Sequence, residues 1–211
     1  MKNFLAVDTS GSYMSVVAMK NGRAVSVFEE DCAMRHSVLL MEKIEEALKK
    51  AELTLEECDF FAACVGAGSF TGIRIGISAI KGFALALGKP TLGVTSFALA
   101  AYNRIDDGAQ GKYLCLVDAL HDSYYACGYE KGEVVLPPAY LTEEEVLSLA
   151  REGYRLRSCA KLPILEKAEV EVVSPIEGLE NAVLREAKRG GFGELSAVYV
   201  RKSSAEENVC K

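Results

Sequence analysis

The sequence predicts a mixed α/β protein of two lobes, the second one reduced, and three observations predict it. Short apolar runs of strand length alternate with stretches of helical period. The two halves open alike, each on strand, acidic turn, strand, tight turn and strand. Between them, Asp106-Asp107-Gly108-Ala109-Gln110-Gly111 has the composition of a linker. The expected division is therefore a lobe over 1–104 and a smaller one over 105–211, its last residues flexible after Ser204.

The first lobe starts with an apolar run at 4–7, followed by the turn residues Asp8-Thr9-Ser10-Gly11-Ser12. The strand pattern resumes over 13–19, Asn21-Gly22 is a strong hairpin signal, and 24–29 alternates again. This three-stranded meander presents Asp8, Thr9 and Ser10 at its first turn. In a nucleotide-binding lobe such a turn faces phosphates and a magnesium ion; on spacing alone it is equally a polar hairpin tip. From 37 to 50 the period becomes helical, with Leu40, Ile44, Ala47, Leu48 and Ala51 in one stripe. Val38, Leu39 and Met41 widen that stripe beyond what docking on one sheet requires, and the excess predicts burial against a partner. His36 stands just before the helix beside Arg35, with no serine or cysteine nucleophile motif near it. A structural or interface role is expected for it rather than general-base catalysis.

A buried strand over 60–65 leads into Gly66-Ala67-Gly68-Ser69-Phe70-Thr71-Gly72-Ile73-Arg74-Ile75-Gly76, and an apolar helix runs on to Leu87. Ser69 can cap the helix, and Gly88-Lys89-Pro90 stops it. Gly72, Gly76 and Gly82 lie inside it, each costing roughly 0.8–1 kcal/mol relative to alanine. Close approach of another backbone or helix is the expected reason. The alternative, a phosphate loop, fits the spacing less well: the third glycine falls one position late for G-x-G-x-x-G, and no Walker loop occurs. A brief strand at 92–94 and a helix from Ser96 to about 103 complete the lobe.

The second lobe repeats the opening with a strand at 113–117 ending on Asp118, another at 124–129, and a third at 134–136 after Glu130-Lys131-Gly132-Glu133. Such a duplication is what an actin-like nucleotide-binding fold shows. Its turn, Asp118-Ala119-Leu120-His121-Asp122, lacks the glycine that lets a backbone approach a phosphate. Pro137-Pro138 punctuates, and Thr142-Glu143-Glu144-Glu145 is a capping box opening a helix to about 152. Short strands over 155–160 and 168–173 and a helix over 179–189 follow.

Composition narrows the function classes. The net charge is −6 and basic residues never cluster beyond adjacent pairs, which disfavours tight, direct binding of nucleic acid. The seven cysteines are scattered, with no C-x-x-C, and Cys64, Cys115 and Cys127 sit in apolar runs as small hydrophobes. With two histidines, His36 and His121, a zinc site has little to build on. The opening residues meet Asp8 too early for a secretory signal, and the longest apolar run is too short to span a bilayer, so a cytoplasmic protein with reduced thiols is expected.

Leu5-Ala6-Val7-Asp8-Thr9-Ser10 with Ser15-Val16-Val17, Arg35-His36-Ser37, and the 66–76 segment together resemble the TsaB (YeaZ-type) subunit family of the bacterial tRNA threonylcarbamoyladenosine machinery. Val117-Asp118-Ala119 and Val198-Tyr199-Val200-Arg201 resemble its later motifs. The likeness is strong over 1–104 and thin over 130–195. It implies an actin/Hsp70-like (ASKHA) fold and a non-catalytic scaffold that pairs, through helices matching 37–50 and 69–87, with the catalytic paralogue TsaD. With the ATPase TsaE, that complex modifies the adenosine beside the tRNA anticodon, so tRNA would be met only indirectly; alone, the subunit would pair with a second copy. The implied contact residues are His36, Leu40, Met41, Ile44, Leu48, Ser69, Gly72, Ile73, Gly76, Ala79 and Phe83. No cofactor is required on this reading. ATP or ADP would find a place only at the junction of the complex, with Asp8, Thr9 and Asp118 as residual contacts. The H-x-x-x-H metal pair of TsaD has no counterpart here, so the glycoprotease (peptidase M22) label of the family finds neither metal site nor nucleophile. Two positions depart from the family pattern: Ala67 replaces a usual proline, and Leu120 replaces a usual arginine. The competing expectation is an actin-like ATPase or small-molecule kinase working through Asp8, Thr9 and Asp118.

Overall fold

The computed structural model describes residues 3–103 and 111–201. Most of the expected linker and the tail after Ser204 therefore lie outside the described residues. The first lobe contains β1 (Phe4–Asp8), β2 (Met14–Lys20), β3 (Arg23–Glu29), α1 (His36–Lys50), β4 (Phe60–Cys64), α2 (Phe70–Leu87), β5 (Thr91–Val94) and α3 (Ser96–Ala101). Then come β6 (Lys112–Asp118), β7 (Ser123–Glu130), β8 (Glu133–Thr142), α4 (Glu143–Arg151), β9 (Tyr154–Ser158), a 3-10 turn (Pro163–Glu166), β10 (Val170–Val172) and α5 (Pro175–Arg189).

The duplication read from the sequence is complete at the level of topology. One sheet is ordered β3-β2-β1-β4-β5 and the other β8-β7-β6-β9-β10. In each, the first three strands are antiparallel and the last two run parallel to the first. This is the two-lobe ASKHA arrangement. The reduction is just as specific: α2, with 18 residues, is answered in the second lobe by a 3-10 turn of 4 residues.

Side chains alternate across each strand, so the two faces of the first sheet have different neighbours. Leu5, Val7, Phe61 and Ala63 face α1 and α2; Phe4, Ala6, Phe60 and Ala62 face a central layer that holds α3 and α5. The second sheet closes that layer with Tyr113, Cys115, Cys127 and Tyr129, while its far face packs on α4 through Leu114, Ala126 and Val146. Cys64, Cys115 and Cys127 are buried, as their apolar setting predicts.

Three readings of the second half need correction. A cut at 104/105 does not follow the packing, because α5 lies on β1, β2 and β5. Residues 192–198 return to the first sheet as well, through a bridge between Leu92 and Phe192 and a bond from the Val198 N–H to the Val65 carbonyl (2.7 Å). The last helix also starts at Pro175 rather than 179, with Ser174 as its cap. Finally, β8 continues through Pro137-Pro138. It lies at the sheet edge, where proline's missing N–H costs no ladder bond.

Candidate partner-docking face

Two helices cover the outer side of the first sheet, and their sequences set what they bury. In α2 the Ser69 side chain accepts from the Gly72 N–H (3.2 Å), and Gly88 ends the helix in a left-handed conformation. Its inner face is Gly72, Ile73, Gly76, Ile77, Ile80 and Ala84. In α1 the inner face is His36, Leu39, Leu40, Ile44 and Ala47. What remains outside includes large apolar side chains among polar ones: Met34 is 94% exposed, Val38 75% and Leu85 87%, with Met41 and Phe70 about half that. Gly82 is also exposed, with nothing within 4 Å of where its Cβ would stand.

Between the helices lies an open groove of about 530 Å³, lined by Leu40 and Met41 of α1 and by Phe70, Arg74, Ile75 and Ala79 of α2. By length and composition α2 is apolar enough to cross a membrane (mean hydropathy 1.4), yet a third of it is buried within this molecule. A helix docked by one face and apolar on the other is a surface awaiting cover.

The expected contact residues divide along this boundary. Met41 and Ser69 are exposed, and Ala79, Phe83 and Leu48 are half-buried. Leu40 lines the groove from its floor, while Ile44, Ile73 and His36 are core residues. The glycines are corrected most. Gly72 and Gly76 do permit close approach, but of this chain's own turn after β1: a Cβ at Gly72 would stand 2.1 Å from the Thr9 carbonyl oxygen, and one at Gly76 2.6 Å from Thr9 Oγ1. Gly68 is close to Ser10 in the same way: a Cβ there would stand 2.3 Å from the Ser10 carbonyl oxygen. Gly82, part of the same glycine series, faces open space instead. The outward phase of α1 and α2 is the signal for Val38, Phe70, Ile75 and Gly82; Met34, in the turn before α1, has no such signal.

Both ring nitrogens of His36 face backbone carbonyls, Nδ1 that of Ala33 (3.1 Å) and Nε2 that of Tyr13 (3.0 Å), and the one that carries the proton donates. The residue fastens the start of α1 to the turn after β1, a structural role. That turn is itself enclosed. Asp8 Oδ1 accepts the Ser10 N–H (2.8 Å), Thr9 Oγ1 donates to the Gly72 carbonyl (2.7 Å), and Ser10 Oγ meets Ser96 Oγ (3.0 Å). Asp8 Oδ2 is buried without a hydrogen-bond partner among the described residues. Burial, and then the Asp8 charge, push the Tyr13 phenol well above its ordinary pKa; burial pushes the Cys64 thiol up as well. Asp118 and the turn behind it are exposed instead. So Asp8 and Thr9, which the ATPase reading requires at an open cleft, are packed inside the protein.

A family model described as TsaD, tRNA N6-adenosine threonylcarbamoyltransferase, matches residues 26–211. The tRNA threonylcarbamoyladenosine biosynthesis protein TsaB of Buchnera aphidicola subsp. Baizongia pistaciae is 26% identical over 162 residues, covering 72% of this chain and 73% of that protein. The Escherichia coli K12 TsaB is 30% identical over 129 residues, 61% of this chain and 55% of its own length. Among solved structures, YeaZ from Pseudomonas aeruginosa superposes with a TM-score of 0.79 at 27% identity, over 94% of this chain and 100% of that one. The chain belongs to the TsaD-type tRNA N6-adenosine threonylcarbamoyltransferase family, in its TsaB (YeaZ-type) branch.

Proposed function

We propose that this chain is a non-catalytic subunit in the biosynthesis of tRNA threonylcarbamoyladenosine, which binds a TsaD-type catalytic subunit through the outer face of α1 and α2. The observation that carries the reading is that face: two adjacent helices on one sheet that expose Val38, Met41, Phe70 and Leu85, with Gly82 open to close approach. A TsaE-type ATPase joins the pair, tRNA is held by the partners, and a second copy of this chain covers the face when the catalytic subunit is absent. The setting is cytoplasmic. The enclosed turn at Asp8 and Thr9 supports the assignment of catalysis to the partner.

Gly76 is no probe of the contact, since a side chain there meets Thr9 first. Gly82→Arg is, because it projects into open space. In a pull-down from the native cytosol read by mass spectrometry, the wild type is expected to recover a TsaD-type subunit. The Gly82→Arg bait should lose it with no fall in melting temperature. Equal recovery by both baits would overturn the face, and no such subunit with either would overturn the function.

A further inference from the structure

We propose that Arg74 is the polar anchor of the docking face and takes a carboxylate from the helix that covers it; the proposal rests on the partner reading above. Several cations elsewhere on this acidic chain pair with a carboxylate: Lys20 with Glu57, Lys43 with Glu29, Lys81 with Glu194, Lys167 with Glu143. Among the described residues, Arg74 has none. Its guanidinium instead lies 3.7 Å over the Phe70 ring, and its Nε donates to the Tyr199 hydroxyl (3.0 Å). Phe70 and Tyr199 pack on each other with ring centroids 5.1 Å apart. The Val198–Val65 backbone bond pins the tail that brings Tyr199 there.

The side chain is therefore held in place while its terminal nitrogens, Nη1 and Nη2, keep no partner among the described residues. A guanidinium fixed in advance loses less rotamer freedom on binding, and its planar fork suits a carboxylate. The surroundings make that pairing a requirement. Arg74 lines the same groove as Met41, Ile75 and Ala79, so any helix that buries those side chains takes the guanidinium out of water too. A desolvated charge without a partner is strongly unfavourable. The chemistry that fits is a largely apolar helix of the TsaD-type subunit with one acidic side chain on its contact face, opposite Arg74.

The test is a titration of the cognate TsaD-type subunit into wild type, Arg74→Gln, Arg74→Glu and Tyr199→Phe by calorimetry, at low and moderate salt. Loss of one partner of a buried charge pair should weaken binding at least about tenfold for Arg74→Gln and about a hundredfold for Arg74→Glu. Tyr199→Phe should cost a few-fold, and the melting temperatures should hold. The affinity of Arg74→Gln should also depend less on salt than that of the wild type. An acidic-to-arginine change on the partner helix should restore binding to Arg74→Glu. Wild-type affinity in Arg74→Glu would overturn the anchor and leave the partner reading standing. Absence of binding by the wild type would overturn both. Loss of self-association alone would make the occupant a second copy and overturn the proposal as stated.

Discussion

The turns after β1 and β6 begin alike and end in different environments. In each, an aspartate Oδ1 accepts the N–H two residues on, Asp8 from Ser10 and Asp118 from Leu120, both at 2.8 Å. Beyond that bond the two diverge. The first turn is roofed by α2 and the loop before it, with Ser69 N–H on the Ser10 carbonyl (2.7 Å) and Thr9 Oγ1 on the Gly72 carbonyl (2.7 Å). The second lobe has only a 3-10 turn where α2 would be, and its turn stays in solvent with Leu120, His121 and Asp122 all at positive φ. The helix after the fourth strand, not the turn's own sequence, decides which turn becomes a buried fixture. The first lobe keeps that helix, and with it the groove between α1 and α2.

The sharpest way to break this comparison is Gly72→Ala. Its Cβ would meet the Thr9 backbone, which has nowhere to retreat, and a loss of about 3 kcal/mol or more is expected in chemical denaturation. Gly82→Ala, in open space on the same helix, should instead gain about 0.8 kcal/mol. Equal losses at both sites would mean that the contact with Thr9 is not why glycine stands at 72. Next in size is the aspartate pair. Asp8→Ala removes a buried acceptor and should lose about 2 kcal/mol, whereas Asp118→Ala should stay within about 0.5 kcal/mol. Similar values for the two would erase the distinction between the turns.

Smaller still is Leu120→Gly. Three consecutive non-glycine residues at positive φ carry a steric cost, so this change should raise stability by about 1 kcal/mol in the same assay. The last prediction concerns pH. The Tyr13 pKa is raised in the folded state, so its contribution is fully present below the unfolded value of about 10 and is lost as pH rises toward the folded value. Denaturation at pH 8 and pH 10.5 should show a steeper alkaline loss for wild type than for Tyr13→Phe. Identical slopes would place the phenol in water and the turn with it.

Much of this was legible in the residues. Apolar runs, Asn21-Gly22, the Ser69 cap and the Thr142 capping box located strands and helices to within a few positions, because those signals are local. The exceptions depend on distant neighbours. Pro137-Pro138 stops a central strand and is harmless at an edge, and nothing local says which β8 is. Gly72 and Gly82 look the same in sequence; only the fold places Thr9 against one and solvent against the other. The stripe on α1 correctly announced more apolar surface than one sheet can bury. Neither helical periodicity nor the resemblance says which side of α1 and α2 faces inward, so the implied contact set mixes the buried Ile44 and Ile73 with the exposed Met41. Arg74 escaped notice because its ring partner Tyr199 is 125 residues away.

The placement of α5 on the first sheet has a consequence for synthesis. The inner face of that sheet, with Ala6, Ala62 and Leu92, is finished by α5 and by Phe192, which are made well after β5. Between Val94 and Pro175 lie about 80 residues, which at roughly 5–20 residues per second is on the order of 4–16 s of elongation. For that interval the nascent first lobe holds an apolar sheet face covered only in part, by α3. A transcript or nascent chain cut short before Pro175 thus yields not a smaller working subunit but a sticky half-sandwich, a substrate for chaperones and proteases.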